Sequence, residues 1–128
     1  MISPNDIRHA HILVVDDEPV NVQLLEFLIK TSGYENVASP TGPRQVAALH
    51  LQHRYDLIIL DLQMPHMDGF QVMEALKPME RESWLPVLVV TTEPDKKLAA
   101  LEAGARDFIG KPFDTVEVLT RIRNLLEV

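Results

Sequence analysis

The sequence contains no cysteine, few aromatic residues and no long apolar run. Without cysteine, a disulfide framework and thiolate metal sites are excluded. The apolar runs extend over four or five residues at most, whereas a membrane-spanning helix needs about 18 or more. Residues 1–11 also lack the apolar segment that a signal peptide carries. These absences predict a cytoplasmic protein that does not bind membranes.

The 128 residues carry a net charge of −7, with 46% hydrophobic and 24% charged residues. This balance and length are typical of a single globular domain. We assign residues 1–10 to an N-terminal extension and residues 11–128 to the domain. An acidic surface repels nucleic acid, whose phosphates are bound by lysine and arginine. We therefore expect no nucleic-acid binding by this domain itself.

Short segments rich in valine, isoleucine and leucine recur along the chain. They cover residues 12–15, 36–39, 57–60, 87–90 and 108–109, and the second and last are the weakest. Most are continuous rather than alternating, which is typical of parallel strands that are covered on both faces. The segments therefore predict five parallel strands.

A stretch with helical periodicity comes after each predicted strand. These helices begin near Pro19, Pro43, Gly69, Pro94 and Asp114. We predict that Pro78 ends the third helix, because the residue before a proline disfavours helical geometry. Leu98 and Leu101 are predicted to face the core from the fourth helix, and Asp114 to cap the last one.

Strand and helix thus alternate five times, which predicts an α/β fold with a single doubly wound parallel sheet and helices on both faces. Right-handed crossovers leave few topologies for five such units. We choose the flavodoxin-like strand order 2-1-3-4-5. Ligands in such sheets bind at the carboxyl ends of the strands where the order reverses, here between strands one and three.

Polar residues stand at the ends of the predicted strands: Asp16 and Asp17 after the first, Asp61 after the third, Thr91 and Lys111 at the fourth and fifth. Three carboxylates in one crevice repel each other, so they need a cation or some of them must stay protonated. Mg²⁺ prefers oxygen ligands and binds one or two carboxylates together with phosphate oxygens. Lysine and threonine suit phosphoryl oxygens. The pattern therefore predicts a Mg²⁺-dependent phosphoryl-transfer site with Asp61 as nucleophile.

Four motifs carry a family resemblance: VVDDE at 14–18, DLQMPHMDG at 61–69, PVLVVT at 86–91 and KPF at 111–113. In this order they resemble the receiver domain of bacterial two-component response regulators over about residues 10–127. The resemblance implies a conformational switch in signal transduction. It implies that Asp61 accepts a phosphoryl group from a sensor histidine kinase or a phosphotransfer protein. The only reactions it implies for the domain are its own phosphorylation and dephosphorylation.

The resemblance also implies roles around the acceptor. Asp17, Asp61 and the backbone carbonyl of Gln63 would ligate Mg²⁺, and Asp16 would act through a water molecule. Lys111 would pair with Asp61 and later with the phosphoryl group.

Two further residues would form the switch implied by the family. The Thr91 hydroxyl would move toward the phosphoryl group, and Phe108 would swing inward with it. Phe108 stands where tyrosine is frequent, so a hydroxyl contact is missing there. Thr92 stands where a small residue is usual, which narrows access for donors.

Charged residues near the last strand, Lys97, Asp107 and Arg121, are predicted as an output or dimer face. A contact between Asp107 and Arg121 across a twofold interface resembles one mode known in the family. An ordinary solvated face is the alternative interpretation.

Three other functions compete with this interpretation. An aspartate-nucleophile phosphohydrolase needs a second acid two residues after the nucleophile, and Gln63 at that position cannot act as a general acid. A flavin or nucleotide binder needs a glycine-rich loop after the first strand, which is absent. A docking receiver that is never phosphorylated would be expected to lack an acid or the lysine, yet all are present.

Overall fold

The computed structural model describes residues 7–40, 42–64, 68–80 and 85–127. Five parallel strands form one sheet in the order β2-β1-β3-β4-β5, which confirms the predicted topology. The strands are β1 (His11–Val15), β2 (Asn36–Ala38), β3 (Leu57–Leu60), β4 (Val87–Thr91) and β5 (Asp107–Gly110).

Five α-helices alternate with the strands: α1 (Pro19–Thr31), α2 (Val46–His53), α3 (Gly69–Glu80), α4 (Lys97–Glu102) and α5 (Thr115–Glu127). Short 3₁₀ turns precede β1, α2 and α4, at Ile7–His9, Pro43–Gln45 and Pro94–Lys96. No helix in these described ranges combines the length and the apolar composition that crossing a membrane requires.

The central strand β1 shows why its apolar run is continuous. Ile12 and Val14 pack in a core with residues of α1 and α5. Leu13 and Val15 point to the other face and pack in a second core with residues of α2, α3 and α4. Both faces of the strand are therefore buried, and every position favours an apolar side chain.

Asp114 caps α5 as predicted. Its Oδ1 accepts hydrogen bonds from the N–H groups of Val116 at 2.8 Å and Glu117 at 3.2 Å. Two N–H groups that have no partner within the first turn of the helix are satisfied in this way.

Two helix predictions are wrong. The helix α3 passes through Pro78 and ends at Glu80. The proline lacks an N–H donor and crowds the carbonyl one turn earlier, a cost that the helix bears only two residues before its end. Leu98 and Leu101 are 68% and 38% exposed, and Ala100 is the buried residue of α4. The 3₁₀ turn before α4 has fewer residues per turn than an α-helix. Positions counted from Pro94 with α-helical spacing therefore do not give the buried side of α4.

Candidate functional site

The register of the sheet places the acidic residues at its carboxyl edge. Val15 pairs with Leu60 in the β1–β3 ladder, so the next residues, Asp16 and Asp61, leave the sheet side by side. The N–H of Asp61 donates to the carbonyl of Val15 at 2.9 Å. One carboxylate oxygen from each of Asp16, Asp17 and Asp61 lies within 4.8 Å of the others. The structure thus brings together three acids that the sequence pattern had singled out.

The three carboxylates have different environments. Asp61 is 6% exposed, whereas Asp17 is open to solvent. Burial raises the pKa of the Asp61 carboxyl, the positive charge of Lys111 opposes that shift, and the Asp16 carboxylate adds to it. A carboxyl group that is buried beside another acid is costly to ionise, and a nearby cation stabilises its ionised form.

Lys111 lies between two of the acids. Its Nζ donates to Oδ2 of Asp16 at 2.7 Å and lies 3.5 Å from Oδ2 of Asp61. The family resemblance implies Asp61 as the partner, but in the structure Asp16 is the nearer one. The second oxygen of Asp16 accepts the N–H of Glu18 at 2.9 Å. Both oxygens of Asp16 are therefore engaged by the protein.

Thr91 is the last residue of β4 and is fully buried. Its hydroxyl can donate to the Asp61 carboxylate and so opposes, without cancelling, the increase in the pKa of that group that burial causes. The N–H of Glu93 donates to the same hydroxyl at 3.4 Å. The Thr91 carbonyl accepts the N–H of Lys111 at 2.8 Å. The end of β4 thereby holds both the hydroxyl and the lysine backbone at the site.

Gln63 contributes two contacts beside Asp61. Its N–H donates to Oδ1 of Asp61 at 3.3 Å. Its side-chain Oε1 accepts the hydroxyl of Thr92 at 2.9 Å, which joins the loop after β3 to the loop after β4. This second contact was not predicted, although the unusual Thr92 marked the position.

Gly69, the first residue of α3, packs directly against the loop that follows β3. A Cβ at Gly69 would lie 2.6 Å from the carbonyl oxygen of Asp61 and 2.8 Å from Cα of Leu62. The N–H of Gly69 donates to the Leu62 carbonyl at 3.0 Å. The sequence pattern indicates Gly69 only as a helix start, and this close approach was not predicted.

The remaining predicted residues lie around β5. Phe108 is partly buried and packs against the core that contains α2, α3 and α4. Lys97 is exposed on α4. Asp107 and Arg121 pair within one chain, where Nη1 of the arginine lies 2.9 and 3.2 Å from the two carboxylate oxygens. The contact expected between two copies is therefore made inside a single copy.

Comparison with known families matches residues 12–123 to the response regulator receiver domain. The DNA-binding dual master transcriptional regulator RpaA of Synechocystis is 38% identical over 117 residues, which cover 90% of this chain and 48% of RpaA. Response regulator PleD of Caulobacter vibrioides is 39% identical over 118 residues, covering 91% of this chain and 26% of PleD. The chain thus spans about half, or less, of these relatives.

Solved structures share the fold. The chemotaxis protein CheY4 of Vibrio cholerae matches with a TM-score of 0.83 and 31% identity, covering 92% of this chain and 99% of CheY4. The receiver domain of the sensor histidine kinase PA1611 of Pseudomonas aeruginosa matches with a TM-score of 0.83 and 25% identity, covering 94% and 99% of the two chains. That structure is described with a magnesium ion coordinated in its active-site cleft.

Proposed function

Because the chain belongs to the response regulator receiver domain family, we propose that Asp61 is the residue on which it accepts a phosphoryl group. The observation that carries this proposal is the convergence of Asp61 with the ammonium group of Lys111, the hydroxyl of Thr91 and two further carboxylates. A nucleophilic oxygen, a cation and a hydroxyl donor in one cleft suit transfer of a phosphoryl group.

The donor set fits Mg²⁺. It consists of carboxylate oxygens within 4.8 Å of one another, and magnesium binds oxygen ligands of this kind. We assign the ion to Asp17, Asp61 and the backbone carbonyl of Gln63. Asp16 would act through water, since Lys111 and the N–H of Glu18 already engage its oxygens. The ion would supply positive charge beside the phosphoryl oxygens. A magnesium ion in the active-site cleft of the PA1611 receiver domain supports the choice of this metal.

In the proposed transfer, a carboxylate oxygen of Asp61 attacks the phosphorus of a phosphohistidine. The phosphorus–nitrogen bond breaks, and its electron pair returns to the imidazole of the donor. The ammonium group of Lys111 stabilises the negative charge of the phosphoryl oxygens, and the Thr91 hydroxyl donates to one of them. The product is an acyl phosphate on Asp61.

The acyl phosphate would then act as a switch. It adds charge and acceptor oxygens beside Thr91. Thr91 and Phe108 lie on neighbouring strands, where Thr91 pairs with Gly110 and Phe108 with Val89. Movement of the Thr91 hydroxyl toward the phosphoryl group would open space for Phe108 to turn inward. Phosphorylation would thereby bias a two-state equilibrium of the β4–β5 face.

An exposed apolar stripe on α1 supports a protein as the phosphodonor, either a sensor histidine kinase or a phosphotransfer protein. Val20, Leu24 and Phe27 are 71%, 42% and 65% exposed, and their spacing places them on one side of the helix. The helix begins at Pro19, directly after the acidic segment. A donor that packs on this stripe would hold its phosphohistidine next to Asp61.

A second copy of the chain is the other proposed partner, through the face formed by α4, β5 and α5. The exposed Leu98 on α4 supports an apolar contact there. Asp107 and Arg121 form an ion pair within one chain. In a dimer this pair would have to break, and each residue would have to pair with its counterpart in the second copy. Light scattering with and without beryllofluoride would show a dimer only with the phosphoryl mimic. A single unchanged monomer would contradict this interface.

Labelling with a small phosphodonor tests the proposed function. Purified protein is incubated with phosphoramidate and Mg²⁺, and the intact mass is measured. Wild type should gain one phosphoryl group and lose it spontaneously after the donor is removed. Asp61→Asn should not be labelled, whereas Asp95→Asn, which changes an exposed aspartate outside the cleft, should behave as wild type. Labelling of Asp61→Asn, or equal labelling in EDTA, would contradict the assignment.

A further inference from the structure

Resting on the proposed acceptor role of Asp61, we infer that the hydrogen bond between Gln63 and Thr92 is a positioning contact that slows loss of the phosphoryl group. This contact, which we call the loop bridge, joins the hydroxyl of Thr92 to Oε1 of Gln63 at 2.9 Å. The loop bridge would set how long the phosphorylated state lasts. It joins two uncharged side chains.

The loop bridge lies on the solvent side of the acceptor. Asp61 comes directly after β3 and Thr91 ends β4, and both are buried. Gln63 and Thr92 come later in the same two loops, and both are exposed. Because β3 and β4 are neighbours in the sheet, a contact between these residues spans the gap above the buried carboxylate.

Hydrolysis of the acyl phosphate needs access from that side. Water attacks the phosphorus in line with the bond to the Asp61 oxygen, and therefore from the side away from the carboxylate. The phosphorus–oxygen bond breaks, and its electron pair returns to the carboxylate. The water oxygen becomes part of inorganic phosphate, and its proton passes to solvent. Two side chains tied together across the gap obstruct this approach.

The loop bridge also restrains both sides of the site. The N–H of Gln63 donates to Asp61, and Thr92 is the next residue after the buried Thr91. A tie between Gln63 and Thr92 therefore limits the relative movement of the two loops that contact the acceptor. Opening these loops to water must break the hydrogen bond.

Four variants test the inference. Thr92→Val keeps the side-chain shape and removes the donor, Thr92→Ser keeps the donor, and Gln63→Met removes the acceptor at similar length. The fourth variant combines Thr92→Val with Gln63→Met. Each protein is labelled with phosphoramidate and Mg²⁺, freed of donor on a desalting column, and followed by intact mass over time. Thermal unfolding of each variant checks that the fold is retained.

Thr92→Val and Gln63→Met should each lose the phosphoryl group roughly two to ten times faster than wild type, the range expected when one ordinary hydrogen bond is lost. Thr92→Ser should stay near the wild-type rate. The double variant should be no faster than the faster single variant, because both single changes break the same contact.

Two outcomes are distinguishable. Wild type that takes up no phosphoryl group would overturn the proposed function and this inference with it. Normal labelling with equal lifetimes in wild type and Thr92→Val, or additive effects in the double variant, would overturn the inference alone.

Discussion

Lys111 donates to Asp16 at 2.7 Å and lies 3.5 Å from Asp61. The positive charge in the cleft is therefore shared between two carboxylates and is closer to the one that we do not assign as acceptor. The pKa of Asp61 stays raised, since burial outweighs the opposing effect of Lys111. A further cation near Asp61 would therefore stabilise its ionised carboxylate.

Replacing the acceptor should stabilise the fold when no divalent ion is present. Since the folded protein raises the pKa of Asp61, it holds that proton more tightly than the unfolded chain does. Stability then falls as the pH rises through the folded-state pKa, so ionisation of Asp61 opposes folding. We therefore expect Asp61→Asn in EDTA to melt above wild type at pH 7.

Mg²⁺ should reverse that order, because it binds the folded wild type through the ionised carboxylate. Melting curves with and without Mg²⁺ measure both effects. Wild type and Asp61→Asn that melt together in EDTA, or that respond equally to Mg²⁺, would contradict this account of the cleft.

The buried position of His50 leads us to expect that the folded protein loses stability in mild acid. The residue is 2% exposed, and its Nδ1 accepts the N–H of Tyr55 at 3.0 Å. Burial lowers the pKa of His50, and the charge of Arg54 lowers it further. The folded state therefore disfavours the protonated ring. Stability should be complete above the ordinary histidine pKa of about 6.5 and should decline as the pH falls below it.

A matched pair of variants isolates this effect. His50→Asn keeps an acceptor near the position of Nδ1 but does not titrate, so its free energy of unfolding should change less between roughly pH 7.5 and 5.5 than that of wild type. His53→Asn, at an exposed position on the same helix, should match the wild-type curve. Urea unfolding at each pH gives the comparison. Parallel curves for His50→Asn and wild type would rule out His50 as the cause.

Gly69→Ala should destabilise the protein and slow labelling. The added methyl group would lie 2.6 Å from the Asp61 carbonyl oxygen and 2.8 Å from Cα of Leu62, so backbone beside the acceptor must move. Such overpacking costs about 1–3 kcal/mol. Gly42→Ala is the control, because a Cβ there has no described heavy atom within 4 Å. Equal stability and labelling rates for the two variants would show that the loop tolerates the shift.

Phe27→Glu should weaken transfer from a protein donor and leave transfer from phosphoramidate unchanged. We expect the transfer rate to fall about tenfold or more, since the loss of a central aromatic contact commonly costs an interface about 2 kcal/mol or more. The assay uses a phosphorylated phosphotransfer protein that labels wild type. Leu51→Glu, which changes a similarly exposed leucine on α2, should retain the wild-type rate. A loss with both donors would instead indicate damage to the cleft.

The strands and the acidic cluster could be predicted because both depend on local patterns, whereas the strand order was a choice among the few topologies that right-handed crossovers allow. A strand that is buried on both faces needs a continuous apolar run, as in residues 57–60. Parallel strands in such a sheet bring the residues after their carboxyl ends to one edge. The cap by Asp114 is local too. Each of these predictions needs only residue type and position in the chain.

The features that were missed depend on geometry that the sequence does not contain. The exposure of Leu98 results from a 3₁₀ turn that shifts the phase of a six-residue helix. The Gln63–Thr92 contact joins residues 29 positions apart and depends on how two loops approach each other. The preference of Lys111 for Asp16 over Asp61 rests on the difference between 2.7 and 3.5 Å, which no residue pattern resolves.

The outer strands of the sheet have a consequence for self-association. The edge strand β2 has three residues and β5 has four. The unpaired N–H and C=O groups of an edge strand can form hydrogen bonds with a strand of another molecule. A very short edge strand offers few such groups and so limits this pairing. The protein therefore offers few edge-strand groups on which strands of other copies could stack into a fibril-like ladder.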